Sequence, residues 1–567
     1  MKTKYLLIFF LGILTAIICI LNVTPPISRD ALIHHLYVPK LWLAQGSIAP
    51  IPDIVFSYYP MNLDLLYLIP LSFGNDILPK YIHFIFALLT AWLIYNYLCN
   101  RLPTPWALFG SLFFLSIPII IKLSVTVYVD LGVIFFTSAS LLSLLKWGQS
   151  HQHRFLIIGA ICCGLAAGTK YNALISVFLL TLFTPLIYIR LGHIDKKITA
   201  YTSIKAMFFC CLYFLVTIIT YSPWLMRNYH HTGNPIYPLY QSLFQRSEVV
   251  RENPAEAASP SITDITNTGK QLVSRRSSVL ANRKAEYHET WWQTLLLPIR
   301  FFFEGQDDDP RYFDGKLNPF LLLFMLFAFY HYRYPDRVRR EQWFLLAFGW
   351  LFFFFTFFQE AMRIRYIATA IPIFTILATF GLHNIYARLS AINNFSKRTV
   401  TVAITLLGSA ALIYNAHYLI DQFTYYQPVQ YVSGKISRDD HLARYLPDYP
   451  VQVYANNNLS AENKILAVYV GRRGYYFKHP VMFDPNGGKS KLGGIIRKAE
   501  MPEDIHTQLR ELGLTHLFIR FDLFSKDANI NLTASQIETF NEFLAQQTRL
   551  LKANEDYGQH YALFELL

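Results

Sequence analysis

Apolar residues run in long blocks along this chain. Blocks of membrane-crossing length, or nearly so, cover 5–23, 79–98, 105–121, 128–145, 155–169, 172–189, 204–222, 317–331, 342–358, 366–387 and 399–418. A helix crosses the hydrocarbon of a bilayer with roughly 20 such residues, so the pattern predicts a polytopic α-helical membrane protein of about eleven spans. The segments between the blocks fall into two classes. Lys2 and Lys4, then Arg101, then Lys146 and Arg154, then Arg190, Lys196 and Lys197, then Arg333, Arg337, Arg339 and Arg340, then Arg388, Lys397 and Arg398 occupy every second connection. Cytoplasmic loops collect Lys and Arg, which puts the N-terminus inside. The alternate connections then face outward: 24–78, the short links near Lys122 to Asp130 and at Lys170, 223–316, the link from Gln359 to Arg365, and the tail from Asp421.

The periodicity changes after Asp421. ILAVYVG, PVMFD and THLFIRF read as short strands, while EDIHTQLRELG and TASQIETFNEFLAQQ read as helices, the second opened by a Thr cap. Alternation of this kind predicts a small extracytoplasmic α/β domain over 421–567, following a membrane body over 1–420. Within the body, 246–290 is polar and poor in large aliphatics. WWQTLLLPIRFFF, residues 291–303, reads as an aromatic segment returning to the bilayer interface.

Composition agrees with the pattern: 53% of the 567 residues are hydrophobic and 15% are charged, too few charges for one water-soluble core. A formal charge of +13 would suit nucleic acid if it lay on one face. It is instead spread over the basic connections, so no nucleic-acid partner is expected and the bilayer is the implied environment. The six cysteines all lie within or at the ends of apolar blocks, so neither a disulfide nor a zinc framework is indicated. The block at 5–23 lacks a small-x-small cleavage site and reads as an uncleaved first span.

Charges near membrane depth are costly and mark cavities or headgroup sites. Asp30 follows the first span and opens SRDALIHHLYVPKLWLAQGSI, whose Ala31, Leu32, Leu36 and Leu43 suggest an amphipathic surface helix; a plain N-cap is the alternative. Asp130, at the head of the fourth span, has the same alternative. Lys170, in GLAAGTKYNALI, is either a snorkelling lysine or a ligand for a lipid phosphate. Arg363 and Arg365 run against the positive-inside trend and call for an anion. Arg227 makes a similar case in YSPWLMRNYHHTGNPIYP, whose Pro and Gly predict a rigid loop leaving the membrane. His34, His35, His230, His231 and His288 all fall on the outer side without metal-ligand spacing. Substrate or interfacial contact is expected of them, with a divalent metal left open.

These residues carry a resemblance to the GT-C superfamily of membrane glycosyltransferases, in the branch of the protein O-mannosyltransferases and bacterial lipid A aminoarabinose transferases. The matching features are an outer loop that opens with Asp30 and holds two surface helices, Tyr59-Pro60, the GTKY turn, SPWLMRN, TGNPIYP, and Arg365-Tyr366 before Pro372. The resemblance implies inverting transfer of a sugar from a polyprenyl-phosphate carrier to a glycolipid, glycan or protein acceptor at the outer face of the inner membrane of a bacterium. It implies Asp30 and Asp130 as the catalytic carboxylates, and Lys170, Arg365, Arg363 and Arg227 as ligands of the carrier phosphate. Asp64, Tyr59, His34 and Tyr366 are then substrate-binding candidates. Ala31 departs from the acidic residue common after the first aspartate, and Asp64 is the substitute to consider. A lipid or polysaccharide flippase is the competing class. It predicts paired broken helices and repeat symmetry, neither evident in the sequence. Asn-x-Ser/Thr strings at Asn22, Asn394, Asn458 and Asn531 need carry no glycan in a bacterial source.

Overall fold

Helices stand at all eleven apolar blocks. The structure is a computed structural model that describes residues 2–192, 199–244, 279–330, 334–356, 362–392, 396–485, 487–556 and 558–567. Lys196, Lys197, Arg333, Asn394, the link residues 359–361 and the polar stretch 246–278 lie outside the described residues. Seven helices are long and apolar enough to cross a membrane singly: Lys2–Leu21, Leu78–Cys99, Asp130–Ser150, Tyr171–Gly192, Ala200–Thr232, Ile364–Ser390 and Lys397–Val432. The block at 105–121 is a bent pair, Thr104–Ser116 and Pro118–Ser124, turned by 65°. Pro118 has no amide hydrogen to donate back, which is where the bend falls. His153–Ala167 is a shorter apolar helix, and Asp336–Thr356 takes in residues 342–356 of the block at 342–358. The block at 317–331 has a regular helix only over Pro319–Met325, opened by the Asn318 side chain accepting from the amide of Phe320.

The chain divides into two compact units. One comprises Met1–Thr24, Tyr59–Tyr237 and Arg275–Val429; the other comprises Pro25–Tyr58, Pro238–Ser274 and Gln430–Leu567. Among the described residues the first unit holds the candidate membrane helices, apart from the end of Lys397–Val432 beyond Val429. Its interior is aliphatic and aromatic, and several of the polar residues buried in it are paired with one another. Asn318 donates to Asn415 Oδ1 at 2.7 Å, Asn415 donates to Ser116 Oγ at 2.8 Å, and Arg101 pairs with Glu341 at 2.7 Å. Unpaired, such groups would be prohibitive in hydrocarbon.

The expected loop at SPWLMRNYHHT is instead helix. Ala200–Thr232 passes through Pro223 and stops at Gly233, whose φ is +70°. Two side-chain anchors hold the turns after the proline: Trp224 Nε1 donates to Asn62 Oδ1 at 2.8 Å, and Asn228 donates to Tyr171 Oη at 3.1 Å. One missing backbone bond is offset by these contacts, so local punctuation is overridden.

In the second unit five strands order as β2-β1-β3-β5-β4. They are β1 (Ile465–Val468), β2 (Val481–Phe483), β3 (His516–Arg520), β4 (Thr548–Asp556) and β5 (Gln559–Leu566). β2, β1 and β3 are parallel, with Ile465 opposite both Val481 and His516; β5 runs antiparallel to β3 and β4. Leu466, Val468, Leu517 and Ile519 point to one face, against Leu492, Ile496, Ile505, Leu509 and Phe543 of the covering helices. Ile465, Ala467 and Phe518 point to the other, against Val451, Ala455 and Phe477. Burial on both faces explains the unbroken apolar runs, each fully buried Leu or Ile contributing about 2 kcal/mol.

Residues 25–58 join this unit. Leu32 packs with Leu442, Leu446 and Tyr449, the amide of Tyr475 donates to Leu32 O at 3.2 Å, and Lys40 Nζ donates to the carbonyls of Tyr475 and Phe477 at 2.7 and 2.5 Å. The predicted surface helix is a five-residue π-helix, Ala31–His35, followed by an α-helix, Tyr37–Gln45. Its apolar residues divide: Leu32 and Leu36 are buried, whereas Leu43 is 41% exposed. Much of the stripe expected to face lipid is therefore covered by protein.

Candidate active site

Three of the predicted residues come together in the membrane unit. The fourth span starts at Asp130, which is buried, and its Oδ1 accepts from Lys170 Nζ at 2.8 Å. Asp130 is not an N-cap; Val129 holds that position. Its side chain instead bridges to the turn between the fifth and sixth spans, where Lys170 is in extended backbone before the single turn Tyr171–Ala173. The ammonium also lies over the ring of Tyr366, 5.6 Å from its centroid, and the Arg365 guanidinium lies over Tyr128 at 4.8 Å and Tyr366 at 5.6 Å. Two cations thus share one aromatic wall with one carboxylate, whose Oδ2 has no hydrogen-bond partner among the described residues. Arrangements of this kind hold positive charge ready for an anion.

Local sequence explains why the three meet. Gly168 lies where a Cβ would come 2.3 Å from Asn62 Nδ2. Asn62 in turn receives Trp224 Nε1, and its amide donates to Gly168 O at 2.9 Å. The GTKY turn is thereby pinned against the start of the helix Asn62–Ser72. Asn172 Nδ2 donates to Tyr366 O at 3.1 Å, tying the same turn to the Arg365 segment. His83 anchors the Asp130 side: its Nε2 accepts from the amide of Leu131 at 3.0 Å. Its Nδ1 is therefore the protonated nitrogen, donating to Thr126 O at 3.0 Å. Sequence reasoning passed over His83, Tyr128, Asn62 and Asn172, because nothing local distinguishes a lone polar residue in an apolar block from an ordinary core residue.

The remaining candidates have partners of their own. Asp64 is 1% exposed, one turn before Tyr67, whose hydroxyl donates to the carbonyl of Tyr128. The Tyr59 ring meets Tyr171 edge-on at 5.2 Å, and the Tyr171 hydroxyl donates to Tyr237 O at 2.7 Å. Arg227 lies over Trp224 at 5.2 Å on the continuing helix. Arg363 faces a different loop, its NH1 nitrogen 3.3 Å from Asp314 Oδ2. Asp30 and His34 belong to the other unit. Asp30 directly precedes the π-helix and makes no capping bond with its side chain, and His34 stacks on Phe56 at 4.3 Å. Among the described residues no group of three or more His, Cys, Asp or Glu is gathered as a metal site.

Residues 54–232 match the family model of dolichyl-phosphate-mannose-protein mannosyltransferases, a span that holds Tyr59, Asp64, Asp130, Lys170 and Arg227. No curated protein matches the sequence. Among solved structures, the chain resembles ArnT from Cupriavidus metallidurans in its apo state, at 14% identity and a TM-score of 0.59, over 99% of this chain and 98% of that one. The same protein bound to undecaprenyl phosphate gives 13% identity and a TM-score of 0.56, over 98% and 97%. The likeness extends through the C-terminal sheet as well as the membrane helices.

Proposed function

We propose, from the family match over residues 54–232 and the ArnT-like fold, that this chain transfers a sugar from a polyprenyl-phosphate carrier to an acceptor at the outer face of the cytoplasmic membrane, with inversion. The observation that carries this reading is the meeting of Asp130, Lys170 and Arg365 beside Tyr128 and Tyr366. The carrier phosphate gains negative charge as the bond from its oxygen to the sugar's anomeric carbon breaks. Cations fixed in advance stabilise that charge without reorganising at the moment of reaction. Asp130 keeps the Lys170 ammonium in place and, with its second oxygen, can orient the donor. The acceptor hydroxyl attacks the anomeric carbon from the opposite side and gives its proton to a carboxylate, the role that the resemblance assigns to Asp30. The solved relative with undecaprenyl phosphate bound supports the choice of carrier.

The test uses purified full-length protein with undecaprenyl-phosphate pentoses and hexoses, radiolabelled in the sugar, and envelope glycolipids as acceptors. Transfer is expected, falling roughly 100-fold in kcat for Lys170→Ala and for Arg365→Ala, and lost in Asp30→Asn. Movement of label across proteoliposomes without transfer would replace this reading with a flippase.

A further inference from the structure

The loop over residues 305–315 is held from both sides, and one side is the segment that carries Arg363 and Arg365. Its own backbone closes it: the amide of Gln306 donates to Tyr312 O at 3.0 Å, and that of Gly315 donates to Gln306 O at 2.8 Å. Phe313 and Asp314 both adopt left-handed backbone, with φ of +67° and +39°. That conformation is unfavourable for either residue and persists only where the surroundings enforce it.

The enforcement is visible in a buried charged set that packs against the loop. Arg283, Glu289 and Arg300 form a buried set, 5%, 4% and 7% exposed. Glu289 accepts from Arg283 through both oxygens, at 2.7 and 3.2 Å, and from Arg300 at 3.0 Å. Arg283 also donates to the carbonyls of Pro310 and Arg311, at 3.1 and 2.7 Å. The Phe313 ring is stacked on Phe301 at 4.1 Å, with both guanidinium groups within 6 Å of its centroid, at 4.9 and 5.6 Å. On the other side the loop grips the arginine arm. Phe313 O accepts from the amide of Ile364 at 2.8 Å, Asp314 Oδ2 lies 3.3 Å from Arg363 and Asp314 Oδ1 3.7 Å from Lys122. Gly315 allows the close approach, since a Cβ there would meet Ile364 Cβ at 3.0 Å.

We propose that this loop, locked by the Arg283–Glu289–Arg300 set, is a positioning element that presets the Arg363–Arg365 arm for the carrier phosphate, with Asp314 as its positioning residue. The proposal rests on the phosphate-binding reading above and makes a prediction of opposite sign to simple electrostatics. Removing a carboxylate near an anion site strengthens anion binding if charge alone matters. If Asp314 holds the arm in place, its removal weakens binding.

The experiment measures affinity of the full-length protein in detergent for undecaprenyl phosphate, with undecaprenol as the uncharged control. Asp314→Ala is expected to bind undecaprenyl phosphate at least about tenfold more weakly, with undecaprenol binding unmoved. Gly315→Ala, which disturbs the seam without changing charge, is expected to shift in the same direction. Unchanged or tighter binding of undecaprenyl phosphate in Asp314→Ala overturns the proposal, as does equal weakening toward undecaprenol. Arg365→Ala separates the two readings: if it too binds undecaprenyl phosphate as tightly as the unmodified protein, the phosphate site itself is wrong. If it loses binding while Asp314→Ala and Gly315→Ala do not, only the positioning role fails.

Discussion

Single carboxylates in this protein differ by what surrounds them. Asp130 has its ammonium partner, while Asp484 in the second unit accepts hydrogen bonds from Ser490 Oγ at 2.5 Å and the Lys491 amide at 2.6 Å and is paired with no ammonium or guanidinium at hydrogen-bond distance among the described residues. Burial pushes its carboxyl up to about 6 from an ordinary 3.8. A carboxyl raised in the folded state contributes stability that is full below about 3.8 and is lost as pH rises through about 6. Opening of β1 and β3 should therefore become easier by roughly 2–3 kcal/mol between pH 4 and pH 6.5. Asp484→Asn keeps an acceptor for Ser490 and should flatten that dependence. Hydrogen exchange of the β1 and β3 amides, corrected for intrinsic rates, reads it directly, and a slope retained in the Asn variant contradicts the assignment. The site carboxylates and cations were legible as oddities in apolar blocks. Their pairing was not, because forty residues separate Asp130 from Lys170 and sequence distance says nothing of which turns meet.

Helix placement was the most legible layer, since an element in hydrocarbon must satisfy its backbone internally and expose apolar side chains. Packing between helices was not, and glycine shows why. A Cβ on Gly381, in the helix Ile371–Ser390, would fall 1.8 Å from Phe324 O, so two backbones touch there. Backbone cannot yield as a flexible side chain does. Gly381→Ala is expected to cost about 3 kcal/mol or more, against little for Gly408→Ala, whose Cβ would meet the Phe109 ring edge at 3.3 Å. Melting of the two variants in detergent checks the contrast, and equal melting points refute it. The β4–β5 hairpin went unread for a related reason. β4 is the edge strand and carries Arg549, Lys552 and Glu555, and a solvated edge lacks the apolar alternation by which strands are recognised.

For the whole molecule, the informative feature is that residues 25–58 and 430–567 fold as one compact unit. Both must then lie on one side of the membrane. With the six native cysteines replaced, Ser47→Cys and Ser535→Cys, both at exposed positions, should react with a membrane-impermeant maleimide from the same side, which we expect to be the outer one. Labelling from opposite sides would break the unit apart. The amino-acid sequence by itself determined that the chain lives in a bilayer, how its helices are spaced and where strands and helices begin to alternate after them, because hydrophobic periodicity is a local property set by solvent. Only the tertiary structure decided that Lys170 reaches Asp130, that Pro223 stays helical, and that residues 25–58 belong with the tail. Those outcomes depend on contacts between segments remote in sequence, whose energies no local pattern encodes.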